Sequence, residues 1–198
     1  FLCDEPVPVL GQDFQIEALT DGTLGAIDLV IIVDTNSYSQ LPRFEEYLRQ
    51  TDTPVLVIDH HVTADGLGRV EVTDSTAPAT GLVLLDLIRH AGWLITERIA
   101  EALFVAIATD TGWFQFNNTG SRAYRNCADL IDLGVNPTEV YDKLYQSFSY
   151  PRFKLMLAML NRLELLLDER YASQYILQED FERTGAAYHD TENLINEC

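Results

Sequence analysis

Residues 54–61 read Pro-Val-Leu-Val-Ile-Asp-His-His, so a short apolar run ends in a carboxylate and two imidazoles. The β-branched residues favour a strand that is buried on both faces, and the proline marks its start. In open α/β sheets, ligands bind beyond the carboxyl ends of the strands, where the loops diverge. The position of Asp59, His60 and His61 therefore indicates a metal site or an acid–base site. A surface turn is the simpler interpretation of the His-His pair taken alone.

Two further segments end in a carboxylate in the same way. Residues 29–33 are an apolar run followed by Asp34, and an apolar helix pattern ends at Asp110, which Gly112 follows closely. Each aspartate alone is ordinary, because Asp is a common turn residue. Three such exits would bring three carboxylates and two imidazoles to one edge of a sheet. Their negative charges would repel one another unless a divalent cation were bound, so the pattern predicts a metal site.

Strand and helix patterns alternate along the chain. The predicted strands lie in residues 1–10, 27–33, 55–58, 70–72 and 171–177. The predicted helices are residues 42–50, 80–91, 97–109, 121–133, a segment that begins at Pro137, and 152–167. This alternation predicts an α/β fold with a largely parallel sheet and helices on both faces. Residues 27–33 and 55–58 are expected to be central strands.

Composition restricts the classes of partner. The 198 residues are 47% hydrophobic and carry a formal net charge of −18. The acidic balance argues against long nucleic acid, which needs a basic surface, but allows a short nucleotide held by metal ions. No stretch approaches the roughly 20 apolar residues of a membrane span, so no membrane partner is expected. Three scattered cysteines form no zinc or disulfide pattern, which favours a reducing compartment and a cytoplasmic location.

The motifs around Asp34, the triplet at residues 59–61 and the segment at residues 108–114 resemble those of the DHH phosphoesterase superfamily in order and spacing. The superfamily is named for the Asp-His-His triplet. The chain most resembles the RecJ-like branch that includes the nanoRNases, which are oligoribonucleases and 3′-phosphoadenosine-5′-phosphate phosphatases. The resemblance implies a DHH phosphoesterase domain in residues 1–148. Residues 149–198 would form a connector helix and the beginning of a second, substrate-binding α/β domain.

Two family motifs are absent from the sequence. No histidine precedes His60, so the family's first motif, His-x-x-x-Asp-x-Asp, is missing, as is the Gly-Gly-His motif of the second domain. We therefore interpret the chain as an internal piece of a longer protein. The first motif would supply most ligands of one of two metal ions. The fragment alone is expected to bind metal weakly and to be inactive or nearly so.

The resemblance also implies roles for five candidate catalytic residues. Asp34 would bridge two metal ions, and His60 and Asp110 would bind one of them. Asp59 would accept a hydrogen bond from an imidazole and fix its tautomer, and His61 would face the substrate phosphate. Mixed carboxylate and imidazole ligands suit Mn²⁺, with Mg²⁺ as the alternative. At most one of the two ions would be well ligated by this chain.

Three more residues have two interpretations each. Arg122 follows Asp110 by one short segment and is a candidate substrate-binding residue, because a guanidinium binds phosphate well. The alternative is an arginine on a solvated helix face. Trp113 and Phe114 would either stack on a base or belong to the core.

The full protein is therefore expected to hydrolyse short oligonucleotides to mononucleotides, and also 3′-phosphoadenosine-5′-phosphate, by metal-activated water. Alternative substrates are pyrophosphate, a cyclic dinucleotide or single-stranded DNA. A different class of function, a non-catalytic nucleotide-binding module, would agree with the missing first motif. The expected partner is a short oligonucleotide or nucleotide substrate, and a homodimer is left open.

Overall fold

The computed structural model describes residues 25–146, 149–191 and 194–197. The strands are β1 (Val30–Val33), β2 (Val55–Asp59), β3 (Val70–Thr73), β4 (Glu164–Leu166) and β5 (Tyr171–Ser173). The α-helices are α1 (Glu45–Gln50), α2 (Thr80–His90), α3 (Glu97–Asp110), α4 (Ser121–Asp132), α5 (Pro137–Tyr141), α6 (Tyr150–Leu160) and α7 (Gln178–Thr184). Short 3-10 helices span Tyr38–Gln40, Tyr188–Thr191 and Leu194–Glu197, and a π-helical turn spans Asp142–Gln146.

The chain divides into two compact units. The first extends to Pro137 and the second begins at Thr138. The first unit contains the parallel sheet, and the second contains a small antiparallel hairpin with helices α6 and α7. All five predicted catalytic residues lie in the first unit.

The sheet of the first unit has the order β1-β2-β3, and both pairings are parallel. The register pairs Val33 with Ile58 and Asp59 with Thr73. Since all three strands run the same way, their carboxyl ends lie at the same edge of the sheet. The predicted α/β fold with a parallel sheet is confirmed, and the sheet brings the loops after β1 and β2 together.

The middle strand β2 is covered on both faces. Its side chains alternate between the faces. Val57 packs with Ile32 and Leu67, and helix α1 adds Leu48 to this cluster. Ile58 points to the opposite face and is also buried, and helix α2 contacts β2. Burial on both faces explains why the sequence of this strand is almost uniformly apolar.

Several predicted boundaries differ from the structure. Strand β1 begins at Val30 rather than at residue 27. Among the described strands it pairs with β2 alone, and its central position stays a prediction because a further strand is predicted in residues 1–10. Its outward side chains are exposed, with Ile31 at 56%. The strand predicted in residues 1–10 lies outside the described residues.

The long helix predicted for residues 152–167 is wrong in its second half. Helix α6 ends at Leu160, and the remaining leucines form strand β4, which pairs with β5. The turn between them contains three consecutive residues with φ between 53° and 62°, at positions 167–169. A leucine-rich run suits a helix and a strand equally well, so its pattern does not distinguish the two. The predicted strand 171–177 is likewise shorter and ends at Ser173.

None of the helices in the described ranges is long and apolar enough to cross a membrane.

Candidate metal centre

Asp34 leaves the sheet at the end of β1. Its backbone N–H still donates to the Ile58 carbonyl at 3.0 Å, so it extends the parallel pairing by one residue. Its φ of 67° is then left-handed, which is uncommon for a residue with a side chain and is better tolerated by Asp and Asn than by most residues. This turn aims the carboxylate across the sheet edge, toward the residues that follow β2. The side chain is half exposed.

His60 faces two carboxylates with one ring nitrogen. Its Nδ1 lies 3.1 Å from the Ala77 carbonyl oxygen, and because a carbonyl can only accept, Nδ1 carries the hydrogen. In the neutral ring, the lone pair is then on Nε2. That atom lies 3.7 Å from an Asp34 oxygen and 3.6 Å from an Asp110 oxygen. Fixing the tautomer through a backbone carbonyl is how proteins commonly orient a metal-binding histidine.

Asp110 reaches this position from helix α3, with help from the start of helix α2. The Thr80 N–H faces the Asp110 carboxylate and favours its charged form. The two helices can approach closely because Gly81 has no side chain. A Cβ at Gly81 would lie 3.0 Å from the Ala106 Cβ and 3.3 Å from the Leu103 carbonyl oxygen. The glycine therefore sets the start of α2 against the end of α3.

The charge environment raises the pKa of the Asp110 carboxyl above its ordinary value. Burial is the main cause, and the negative charge of Asp34 adds to it. The two imidazoles, His60 and His61, act in the opposite direction without cancelling the effect. Within the described residues, no arginine or lysine forms an ion pair with Asp34 or Asp110. The pair thus has no arginine or lysine in the described part of the chain to neutralise it.

Asp59 is fully buried and holds His61. Its Oδ1 accepts the His61 Nδ1–H at 2.7 Å and the His60 N–H at 2.8 Å. Burial raises the pKa of Asp59, but these hydrogen bonds outweigh burial and leave the pKa below its ordinary value. The same contact raises the pKa of His61. With Nδ1 engaged, His61 presents its Nε2 outward.

Three of the five predicted catalytic side chains thus form one compact group, Asp110 adjoins it through His60, and the buried Asp59 holds His61. Ligand-capable atoms of Asp34, His60 and His61 all lie within 4.8 Å of one another. Asp110 approaches the same His60 nitrogen. This compact group therefore includes His61 and leaves out Asp110, whereas the resemblance implied Asp34, His60 and Asp110 as the ligands of one ion.

The donor set fits a divalent cation. Two ligand atoms that share one ion at about 2.1 Å are roughly 3–4 Å apart. The 3.6 and 3.7 Å separations fall in that range and are too long for hydrogen bonds. A cation between these atoms would also remove the repulsion between Asp34 and Asp110. Carboxylate and imidazole donors without a thiolate suit manganese or magnesium better than soft metals.

Arg122, the predicted substrate-binding residue, is already engaged by two carboxylates. Its guanidinium donates to Asp74 at 2.7 Å and to Asp86 at 2.6 Å. Asp74 follows β3, and its N–H bonds the Asp59 carbonyl. Arg122 therefore ties helix α4 to the sheet edge beside the centre and to helix α2. A contact between Arg122 and substrate stays a prediction, and it would have to compete with these ion pairs.

Trp113 and Phe114 pack inside the first unit. Both rings lie edge-on to Phe104, with centroids 6.0 and 6.2 Å away, and Phe114 also stacks on Tyr124. Both residues and the preceding Gly112 have positive φ, so the chain reverses tightly after Asp110. These contacts favour the core interpretation over base stacking.

Three contributors were not identified from the sequence: the Ala77 carbonyl, the Thr80 N–H and the close approach at Gly81. The first two are backbone groups, whose direction no residue type encodes. The Thr80 N–H could have been expected from the predicted helix start after residues 77–79, because the N–H groups at a helix N-terminus have no partner within the helix. A glycine inside a predicted helix was the signal for the third.

The chain is similar to curated nanoRNases. It is 24% identical over 202 residues to the bifunctional oligoribonuclease and PAP phosphatase NrnA of Bacillus subtilis. This alignment covers 98% of this chain and 61% of the relative. It is 39% identical over 103 residues to the Thermus thermophilus protein of the same name, covering 52% of this chain and 31% of that one. The resemblance to the DHH phosphoesterases is confirmed. The chain spans less than two thirds of either relative.

A solved structure shares the fold. The exopolyphosphatase-related protein from Bacteroides fragilis superimposes with a TM-score of 0.80 at 22% identity, covering 85% of this chain and 50% of that one. At this identity the similarity concerns the fold alone. No protein-family model matches the chain.

Proposed function

We propose that this chain is part of a metal-dependent phosphoesterase, whose full-length form hydrolyses short oligonucleotides to mononucleotides and also 3′-phosphoadenosine-5′-phosphate. The observation that carries the proposal is the position of His60 Nε2, which lies 3.7 Å from an Asp34 oxygen and 3.6 Å from an Asp110 oxygen while Nδ1 lies against a carbonyl oxygen. The names of the Bacillus and Thermus relatives support the substrate class. The enzyme class, the substrates and the partners are proposals for the whole protein.

In this proposal, Asp34, His60 and Asp110 hold a divalent cation, with manganese as the first choice and magnesium as the alternative. The cation would supply Lewis-acid stabilisation of the phosphoryl oxygens and a more acidic water. Asp59 orients His61 through the 2.7 Å hydrogen bond. Because Nδ1 is held by Asp59, the outward Nε2 of His61 would face a substrate phosphate oxygen and, when it carries a proton, donate to it. Asp34 is open enough to serve a second ion as well.

The domain boundary belongs to the same proposal. We infer that residues 1–148 form the phosphoesterase domain and that residues 149–198 form a connector helix and the beginning of a second, substrate-binding domain. A cytoplasmic location also remains part of the proposal. The oligomeric state is left to measurement.

Calorimetric titration of this chain with Mn²⁺ tests the metal site. The variant Asp34→Asn/His60→Gln/Asp110→Asn should lose the binding seen in the parent chain. A control with the same change of charge, Asp168→Asn/Glu169→Gln, alters two exposed residues of the β4–β5 turn and should bind as the parent does. Equal binding by all three proteins, or no binding by the parent, contradicts the metal assignment.

Activity of the full-length protein tests the substrate. The proposal expects hydrolysis of a ribodinucleotide and of 3′-phosphoadenosine-5′-phosphate in the presence of Mn²⁺, with pyrophosphate and a cyclic dinucleotide as comparison substrates. Preference for either comparison substrate, or for long single-stranded DNA, replaces the proposed substrate class. No hydrolysis by a protein that binds metal favours the non-catalytic nucleotide-binding module.

A further inference from the structure

The loop after β1 and the loop after His61 are joined by a polar clasp, defined here as the hydrogen bonds between residues 36–38 and residues 65–67. The Asp65 N–H donates to the Asn36 carbonyl at 2.7 Å, and the Leu67 N–H donates to the Asn36 Oδ1 at 3.0 Å. In the other direction, the Ser37 hydroxyl and the Tyr38 N–H donate to Asp65 Oδ2 at 2.8 and 2.9 Å. Residues nearly 30 positions apart are thus held by four bonds.

One end of the clasp is anchored in the core. Asn36 is only 2% exposed, and Leu67 belongs to the buried cluster around Val57. The hydrogen bond between them is therefore protected from water. Its loss would leave the buried Leu67 N–H without a partner. This end fixes the path of the chain two residues after Asp34.

The other end is a single exposed carboxylate. Asp65 caps the 3-10 helix that begins at Tyr38, because its Oδ2 accepts the Tyr38 N–H. These hydrogen bonds, first that from Ser37, also lower the pKa of Asp65. The side chain lies on the loop that leaves His61, so it connects the loop of the imidazoles directly to the loop of Asp34.

The position of the clasp matters because Asp34 is held in a left-handed conformation. Such a conformation persists only when the surrounding structure imposes it. Strand pairing fixes Asp34 on its N-terminal side through the bond to the Ile58 carbonyl. On its C-terminal side, the clasp holds the chain, and the Ser37 N–H also donates to the Thr35 hydroxyl at 3.2 Å.

We propose that Asp65, together with Asn36, is a positioning residue of the candidate metal centre: the clasp sets the Asp34 carboxylate against the His60 and His61 imidazoles. This inference rests on the proposed metal-dependent function. Neither residue is proposed to touch the ion or the substrate. Outer residues that orient ligands typically change metal affinity by about 10- to 100-fold when they are removed.

Two substitutions at Asp65 separate positioning from charge. Asp65→Ala and Asp65→Asn remove the same negative charge, but only the alanine removes the acceptor, since an amide oxygen can still accept both hydrogen bonds. We expect Asp65→Ala to weaken Mn²⁺ binding by about 10-fold and Asp65→Asn to stay within about twofold of the parent chain. The visible absorption spectrum of bound Co²⁺, which reports ligand geometry, should change in the alanine variant alone.

The melting temperature of the metal-free proteins completes the experiment. Because Asp65 is exposed, its replacement should lower that temperature only slightly, so the loss of affinity is not a loss of folding. Parent-like affinity and Co²⁺ spectrum in Asp65→Ala overturn the inference while leaving the proposed function intact. Equal weakening in both variants assigns the effect to charge and also overturns it. No metal binding by the parent chain overturns the proposed function and this inference with it.

Discussion

Asp110 and Asp180 are acidic residues in opposite situations. Asp180 is fully buried in the second unit, and its carboxylate accepts two hydrogen bonds from Arg162, one from Arg183 and one from the Leu177 N–H. These contacts, first that with Arg162, lower its pKa. The pKa of Asp110 in the first unit is raised, mainly by burial and further by the negative charge of Asp34. The protein neutralises the charge of the Asp180 carboxylate with arginines, and among the described residues it supplies no such partner to Asp110.

The difference separates a structural role from a functional one. The contacts of Asp180 neutralise its charge and cap helix α7, so they stabilise the fold and leave no lone pair for a ligand. Asp110 and Asp34 keep their negative charges close together, which costs stability unless something else binds there. Substitutions at the two positions should therefore affect metal affinity and stability in opposite ways.

The largest expected effect is the loss of metal binding when Asp110 is substituted. Asp110→Asn removes a charged ligand but keeps an oxygen that can accept the Thr80 N–H. We expect Mn²⁺ affinity to fall by about 100-fold or more, while the melting temperature of the metal-free chain does not fall, because the repulsion with Asp34 is relieved. Calorimetry and thermal unfolding measure the two quantities. A clear loss of metal-free stability would make Asp110 a structural residue instead.

At Asp180 we expect the reverse: a loss of stability with little change in metal affinity. Asp180→Ala leaves Arg162 and Arg183 without their shared acceptor and removes the bond to the Leu177 N–H. We expect the melting temperature to fall by roughly 5–10 °C, with Mn²⁺ affinity within about twofold of the parent. Circular dichroism and calorimetry on the same samples test this. If metal binding fell as much as stability, the two positions would not be independent.

A smaller, pH-dependent effect on stability is expected at Asp74. This residue is intermediate between Asp110 and Asp180, because it lies beside the metal centre and has one arginine partner. Hydrogen bonds from Thr76 and Arg122 lower its pKa from 3.8 to about 2. The folded protein thus keeps Asp74 ionised at pH values where the unfolded chain already binds a proton. This contribution to stability is fully present above about pH 5 and is lost as the pH falls toward 2.

Urea unfolding between pH 5 and pH 2.5 measures that contribution. The parent chain should lose stability over this interval more steeply than Asp74→Asn, which cannot titrate there. Asp129→Asn removes an exposed carboxylate whose partner is Arg89 and serves as a matched control. Parallel pH profiles for parent and Asp74→Asn would mean that this ion pair contributes little.

Much of the first unit could be predicted from residue patterns. The run before Asp59 is apolar because β2 is buried on both faces, and the helices α2, α3 and α4 each begin at the predicted residue. Residues that leave parallel strands meet at one edge, so the approach of Asp34 to His60 was foreseeable. The order of the described strands was not foreseeable, because an apolar run has the same appearance at the centre and at the edge of a sheet. The end of helix α6 was missed because a leucine-rich run suits both a helix, such as α6, and a strand, such as β4.

The sequence by itself determined the parallel α/β fold, the residue types of the candidate centre and the resemblance to the DHH phosphoesterases, because strand burial and strand exits are local patterns. Tertiary structure alone decided which atoms face each other. The Ala77 carbonyl assigns the His60 tautomer, Gly81 brings α2 to Asp110, and the clasp at Asp65 holds the loop of Asp34. These contacts join residues that are far apart in the chain, and two of the three depend on backbone groups. Their directions follow from packing, which residue identity does not encode.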